Sequence, residues 1–346
     1  MGKNKEKLTK VFNRFTKQRN IHEAVVLIEN TKGDFTYSNT YGAKDVDAPF
    51  ITASVTKLFT TTCIFKLIEQ NKLSLDDKIS KYLAMDILQD LHVYKGTDYT
   101  DELTVSHLLL QTTGLPDDLE EGVNNTRKKV VQQDEYYSFK DIITLTKRHQ
   151  PHFAPDQGKR AHYASVNFDI LGKIIESITE LTLNEAFQQM IYEPLGLKNT
   201  YLPCSDADYI PNIYYKDQSL YRPKFIQSCG ASGGIISTTR ELMIFTKAFI
   251  NGKLFNKDIF HEQDVNNKLQ FAMFPIHYGA GFMRISLNGL MTMFMAKGEL
   301  IGHSGSTGSF AFYLPEKDLF FVGDLNQMAN PAFPVRLAIR LAMAAK

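Results

Sequence analysis

The stretch ITASVTKLFTTTCIFKLIEQNKL (residues 51–73) carries apolar side chains at Val55, Leu58, Phe59, Cys63, Ile64, Leu67 and Ile68. That spacing predicts a helix over about 53–70 with little polar surface, and such a helix is buried. A lysine near its start needs explaining, because burying an ammonium group is costly unless it is paired or neutralised. Ser54 stands three residues before Lys57, so the two share a helix face, and Thr61 continues it. A serine hydroxyl becomes a nucleophile when a nearby base takes its proton. Lysine can be that base if burial and the positive end of the helix dipole lower its pKa. The free N–H groups of the first turn would also stabilise an oxyanion. The alternative is a lysine reaching out to solvent, with Ser54 forming part of the helix start.

Ahead of this helix, HEAVVLIEN (22–30) and DFTYSNTYG (34–42) flank the turn signal TKGD and predict a β-hairpin. Before the hairpin, basic residues surround a stripe of Leu8, Val11, Phe12 and Phe15. This pattern fits a surface helix packed on a sheet; its alternative is a helix lying on a membrane.

Beyond Leu73, helical patterns run to about Leu202: SLDDKISKYL (74–83), TVSHLLLQTTG (104–114), SFKDIITLTKRH (138–149), SVNFDILGKIIESI (165–178) and TLNEAFQQMIY (182–192). Several begin with a Ser or Thr suited to an N-cap. The polar stretch 117–135 reads as a mobile loop. From about Gly230 the pattern turns to short strands: HYGAGFMRISL (277–287), LMTMFMA (290–296), GELIGHS (298–304), GSFAFYLP (308–315) and DLFFVGDL (318–325). A last helix follows in PVRLAIRLAMAAK (334–346).

The expected fold class is therefore α+β. An antiparallel sheet is built from both chain ends and flanked by the terminal helices, with an inserted helical lobe. Residues 1–72 and 203–346 would form the sheet lobe and 73–202 the helical lobe, with the active site in the cleft between them.

The 39 basic and 38 acidic residues nearly cancel, which gives no support for nucleic acid or an anionic membrane as the main partner. Cys63, Cys204 and Cys229 form no Cys-x-x-Cys pair, so a disulfide framework, zinc and dithiol redox roles are unsupported. His149 and His152 straddle Pro151 without helical metal spacing and read as surface residues. No cofactor and no metal are expected. With no long apolar run and no signal-like start, the expected location is the cytoplasm.

Two further stretches join Ser54 and Lys57. In HYASVNFDILG (162–172), Tyr163 precedes a helix, and in IGHSGSTGSFAFYLP (301–315) a Gly-rich turn connects two strands. Here the chain resembles the serine β-lactamase-like hydrolases: class C β-lactamases, D-alanyl-D-alanine carboxypeptidases, D-aminopeptidases and related esterases. Ser54-Val55-Thr56-Lys57, Tyr163-Ala164-Ser165 and His303-Ser304-Gly305 match that family's Ser-x-x-Lys, Tyr-x-Asn and Lys/His-x-Gly elements, in order. LLLQTTGLP (108–116), YEPLGLKNTYL (192–202) and GASGGIISTTRELMIF (230–245) extend the resemblance over most of the chain.

The resemblance implies that Ser54 attacks a substrate carbonyl and that Lys57 is the neutral base or lowers the pKa of Tyr163. Tyr163 would carry the proton to the leaving group. The backbone N–H groups of Ser54 and Ser306 would form an oxyanion hole. Ser165, His303, Ser304 and Gly305 would bind substrate, His303 at the cleft edge. Ser165 departs from the family's Asn and His303 from its Lys, and Gln111 and Thr112 replace a His-Thr pair. These departures weaken an antibiotic-resistance or cell-wall role. The expected function is a serine hydrolase acting through an acyl-enzyme on small esters or D-amino-acid amides and peptides. One alternative is a catalytically weak or inactive ligand-sensing or assembly protein of the same fold. Another takes Ser232 of Gly230-Ala231-Ser232-Gly233-Gly234 as the nucleophile of an α/β-hydrolase elbow.

Overall fold

The computed structural model describes residues 2–155, 160–259, 265–292 and 296–345, with 290 and 291 by backbone only. The first helix, α1 (Gly2–Thr16), buries Leu8, Phe12 and Phe15. The hairpin follows as β1 (Ala24–Asn30) and β2 (Thr36–Tyr41), paired from Ala24↔Tyr41 to Glu29↔Thr36. The central helix α2 spans Thr56–Glu69, and α3 spans Val166–Thr179. A single turn α4 (Gly230–Gly233) precedes α5 (Thr239–Ile250). Six strands then complete the sheet: β3 (Asn267–Lys268), β4 (Ile276–Tyr278), β5 (Met283–Ser286), β6 (Glu299–Ser304), β7 (Phe310–Leu314) and β8 (Leu319–Asp324). Helix α6 (Phe333–Ala344) ends the chain.

The sheet is antiparallel throughout, in the order β2-β1-β8-β7-β6-β5-β4-β3. Strands from the two ends of the sequence thus meet where β1 pairs with β8, Val25 opposite Asp324. β8 and the first five residues of β1 are buried without alternation, the pattern of strands covered on both faces. The terminal helices α1 and α6 pack on each other and on the sheet, while α5 packs on β1, β7 and β8. The apolar stripe of α1 is used up in this packing, which favours the surface-helix reading of that segment over the membrane one. Among the described residues no helix is long and apolar enough to cross a membrane.

Several expectations for individual segments need correction. The 74–83 stretch makes only a 3₁₀ turn at Ile79–Lys81. The carboxylate of Asp77 accepts from Ser74 N, Lys81 Nζ and Tyr82 Oη, and Leu103 O takes the Ile79 N–H. Such bonds compete with a helical ladder. The 290–296 stretch, expected as a strand, begins in a 3₁₀ turn at Gly289–Thr292, and residues 293–295 lie outside the described ones. The supposed loop 117–135 contains a helix at Thr126–Gln132, capped by the Asn125 side chain on Lys128 N. Thr104, Ser138 and Thr182 cap as expected, each in a capping box, whereas Ser165 stands at the start of α3 with no side-chain capping bond and no helix begins at Ser74.

Candidate active site

The chain enters the site through a short ladder in which Phe50 and Ile51 pair with Ser237 and Ile236. Thr52 continues it, its N–H and hydroxyl both donating to Ile235 O at 2.8 and 2.9 Å. Ala53 then takes φ 44°, a left-handed conformation that costs an alanine roughly 1 kcal/mol or more. Its neighbours over-determine it: Thr307 Oγ1 donates to Ile51 O at 3.0 Å and Ser309 Oγ to Thr52 O at 2.5 Å. Ser54 follows, half-buried, in a 3₁₀ turn (Ala53–Val55) rather than in the α-helix itself. The tight turn still leaves it on the face of Lys57, in the first turn of α2.

Lys57 has no exposed surface. Its Nζ lies 3.3 Å from Ser54 Oγ and donates to Ser232 O at 2.7 Å. It also sits over the rings of Tyr163 and Phe168, 5.2 and 5.4 Å from their centroids. Burial lowers its pKa, and the nearby carboxylates of Asp169 and Asp117 pull it part of the way back, to about 8. Burial in turn pushes both of those carboxyls above the usual range.

Tyr163 is set immediately before α3 by two glutamines. Gln270 Oε1 accepts its N–H at 2.9 Å, and Gln111 Oε1 accepts the Ala164 N–H at 3.0 Å. Gln111 Oε1 also accepts from Asn167 Nδ2 at 2.5 Å, and Asn167 Oδ1 accepts from Thr113 Oγ1 at 2.9 Å. The Tyr163 hydroxyl is buried and makes no well-formed hydrogen bond among the described residues. Burial raises its pKa, and the adjacent Ser54 hydroxyl opposes this only in part.

The β6–β7 turn closes the other side. A Cβ on Gly305 would stand 2.2 Å from Ser309 Oγ, 2.5 Å from Thr52 O and 2.9 Å from Ala53 Cβ. Only glycine lets this turn press against the entry to α2, and that contact brings Ser306 to the same cavity as Ser54. Among the described residues no protein acceptor takes the backbone N–H of Ser54 or of Ser306.

A family model described as Beta-lactamase matches residues 8–346. The chain belongs to the β-lactamase family. Among curated relatives of this β-lactamase-family chain is a protein of Salmonella enteritidis PT4, provisionally named D-alanyl-D-alanine carboxypeptidase. It is 26% identical over 302 residues, covering 78% of this chain and 67% of the relative. Among solved structures, a D-stereospecific amidohydrolase from Streptomyces sp. superposes with TM-score 0.75 at 21% identity, covering 97% of both chains. The D-amino acid amidase of Ochrobactrum anthropi SV3 gives TM-score 0.76 at 18% identity, covering 99% of this chain and 97% of that one. The likeness to these two structures is one of fold. Together, family and fold mark the chain as a hydrolase of the serine β-lactamase kind.

Not every expected residue reaches the cavity of this family member. Ser54, Ser165 and Ser306 line it. His303 does not: it has no exposed surface, its Nδ1 faces Ser304 O at 2.8 Å and its Nε2 faces Tyr278 Oη at 3.4 Å. Burial and the charge of Lys57 hold its pKa down to about 3. The expectation of a substrate contact at the cleft edge therefore needs correcting; the neutral ring backs Tyr163, 6.0 Å away between centroids. Ser304 is likewise turned inward, its hydroxyl on Met283 Sδ at 3.6 Å. The Ser232 hydroxyl donates to Cys229 O at 2.9 Å and lies beside the Asp169 carboxyl, and its carbonyl is the anchor of Lys57.

Three carboxylates of the cavity wall, Asp117, Asp118 and Asp169, are not singled out by the sequence. Asp117 lies in the stretch expected to be mobile, and its Oδ1 accepts the Ser165 N–H at 3.3 Å. Asp169 resembles any polar residue of an amphipathic helix. Asp117 and Asp169 line the cavity beside Ser54, as do Asp118 and Arg127, and its apolar walls include Ile51, Val130, Ile213, Phe225, Ile226 and Met328.

Proposed function

We propose that this chain is a serine hydrolase that works through an acyl-enzyme on small esters or amides of apolar D-amino acids. The observation that carries this is the buried Lys57 amine 3.3 Å from the Oγ of Ser54, a residue that lines a largely apolar cavity. With its pKa near 8, about a tenth of Lys57 is neutral at pH 7 and can accept a proton. Tyr163, with its pKa raised, stays protonated and serves as donor rather than base.

Neutral Lys57 takes the Ser54 proton as Oγ bonds to the substrate carbonyl carbon. The carbonyl π pair moves onto oxygen, where the Ser54 and Ser306 N–H groups receive it. The intermediate then collapses and its C–N or C–O bond breaks. The departing amine or alkoxide takes a proton from Tyr163, which is restored from the Lys57 ammonium. Water, deprotonated by the same amine, attacks the ester and frees Ser54.

Asp117, Asp118 and Asp169 give the largely apolar cavity three carboxyls against the guanidinium of Arg127, a balance that suits a substrate with a free amine near its carbonyl. The names of the amidohydrolase and amidase neighbours support D-configured substrates, and the hydroxyl of Ser165 offers a short polar contact where the related enzymes carry Asn. A substrate panel tests the reading: p-nitrophenyl esters, matched D- and L-amino-acid p-nitroanilides, and nitrocefin. Turnover of D-phenylalanine p-nitroanilide above its L-isomer and its N-acetyl derivative is expected, with nitrocefin slow. Preference for the acetylated or L-form would overturn the substrate class; no turnover of any substrate would favour the non-catalytic alternative.

A further inference from the structure

We propose that Glu121, His152 and His162 form a binding site for a divalent transition-metal ion of the zinc type. The three residues come from two segments separated by the Thr126–Gln132 helix and a second helix, so no sequence spacing announces them. His162 Nε2 lies 2.6 Å from Glu121 Oε1, and His152 Nε2 lies 2.9 Å from Oε2 and 3.2 Å from Oε1. The ligating atoms all fall within 4.8 Å of one another, and the two rings stack with centroids 3.7 Å apart. Imidazole nitrogen and carboxylate oxygen are the donor set that zinc takes.

A carboxylate only accepts, so in the metal-free protein each Nε2 holds the hydrogen that points at Glu121. On metal binding each Nε2 gives up that hydrogen, to Nδ1 or to water, and offers its lone pair to the ion. Around tetrahedral zinc, ligand atoms about 2.0–2.1 Å from the ion stand about 3.3 Å apart. The two shortest contacts therefore open by roughly half an ångström, a movement within reach of these side chains. The backbone N–H of Asp117 donates to Glu121 Oε1 at 2.9 Å, which holds that carboxylate from behind, and the backbone N–H of His162 donates to Gln111 O at 2.9 Å, which fixes the segment bearing the ring. His152 is 38% exposed at its side chain and Glu121 28%, leaving an entry path and room for a water ligand. The ion would tie the segment bearing Asp117 to the one bearing Tyr163. It takes no part in the acyl-transfer steps.

The test uses the tag-free full chain after chelation, titrated with ZnCl₂ by calorimetry and with CoCl₂ by absorbance. One equivalent of zinc is expected, with visible cobalt d–d bands and no thiolate charge-transfer band. His152→Ala, at an exposed position, should weaken zinc binding at least about tenfold. His149→Ala, which removes the neighbouring partner of Asp118, should leave it unchanged. Zinc should raise the melting temperature of the wild type and of the His149 variant, but not of His152→Ala. Absence of binding, equal affinity in His152→Ala, or a thiolate band lost on Cys204→Ser would overturn the proposal.

Discussion

The main-chain carbonyl of Ser232 accepts a 2.7 Å hydrogen bond from Lys57 Nζ. That bond fixes the amine beside Ser54 while using nothing of the Ser232 side chain. The serine of the Gly-x-Ser-x-Gly stretch is thus an anchor by its backbone. Ser54→Ala should abolish p-nitrophenyl ester hydrolysis, by about 10³-fold or more, with the fold retained. Ser232→Ala should stay within a few-fold of wild type. Steady-state rates and circular dichroism on both variants check this; the reverse pattern would assign the nucleophile to Ser232.

The base must be neutral to work, so kcat/KM should rise with pH along a limb centred near 8, well below an ordinary lysine. The negative charge of Asp117 raises the pKa of Lys57. Asp117→Asn removes that charge and should shift the limb to lower pH. A pH–rate profile on an uncharged ester reads both; an unmoved limb would separate Asp117 from the base.

Gln111 joins Ala164 N to Asn167 Nδ2 through a single oxygen. Gln111→Ala leaves a buried N–H without a partner, at a cost of about 1–3 kcal/mol. It also frees the backbone beside Tyr163. Chemical denaturation should show the loss of stability, and kcat should fall more than KM rises.

Gly305→Ala places a methyl group against Thr52 O and Ala53 Cβ. The β6–β7 turn must move away from Ser54, taking the Ser306 N–H with it. A destabilisation of about 1–3 kcal/mol and a fall in kcat of about 10²-fold are expected, read by thermal melts and ester turnover.

Much of this site is legible in the chain because its parts are local patterns. Ser54 stands one turn before Lys57 at the entry to an apolar helix, Tyr163 stands before an amphipathic helix, and Gly305 marks a tight turn between strands. The sheet is legible too, as strands at both ends of the sequence with helical periodicity between them. What escaped depends on long-range packing. Asp117 reaches Ser165 across 48 residues, and nothing in a polar run says that it folds inward. His303 looked like a substrate ligand because of its motif, yet the rings of Tyr163 and Tyr278 enclose it. Ser54 falls in a 3₁₀ turn because Ala53 adopts a positive φ that tertiary bonds impose and local propensity does not.

A neutral Lys57 activates Ser54 in this mechanism, and the rate of fluorophosphonate labelling against pH measures that directly. Peptide mapping should find the adduct on Ser54, forming faster as pH rises through about 8 and slowed by at least about 10²-fold in Lys57→Ala. An adduct on Ser232, or a Ser54 labelling rate that Lys57→Ala leaves unchanged, would contradict it.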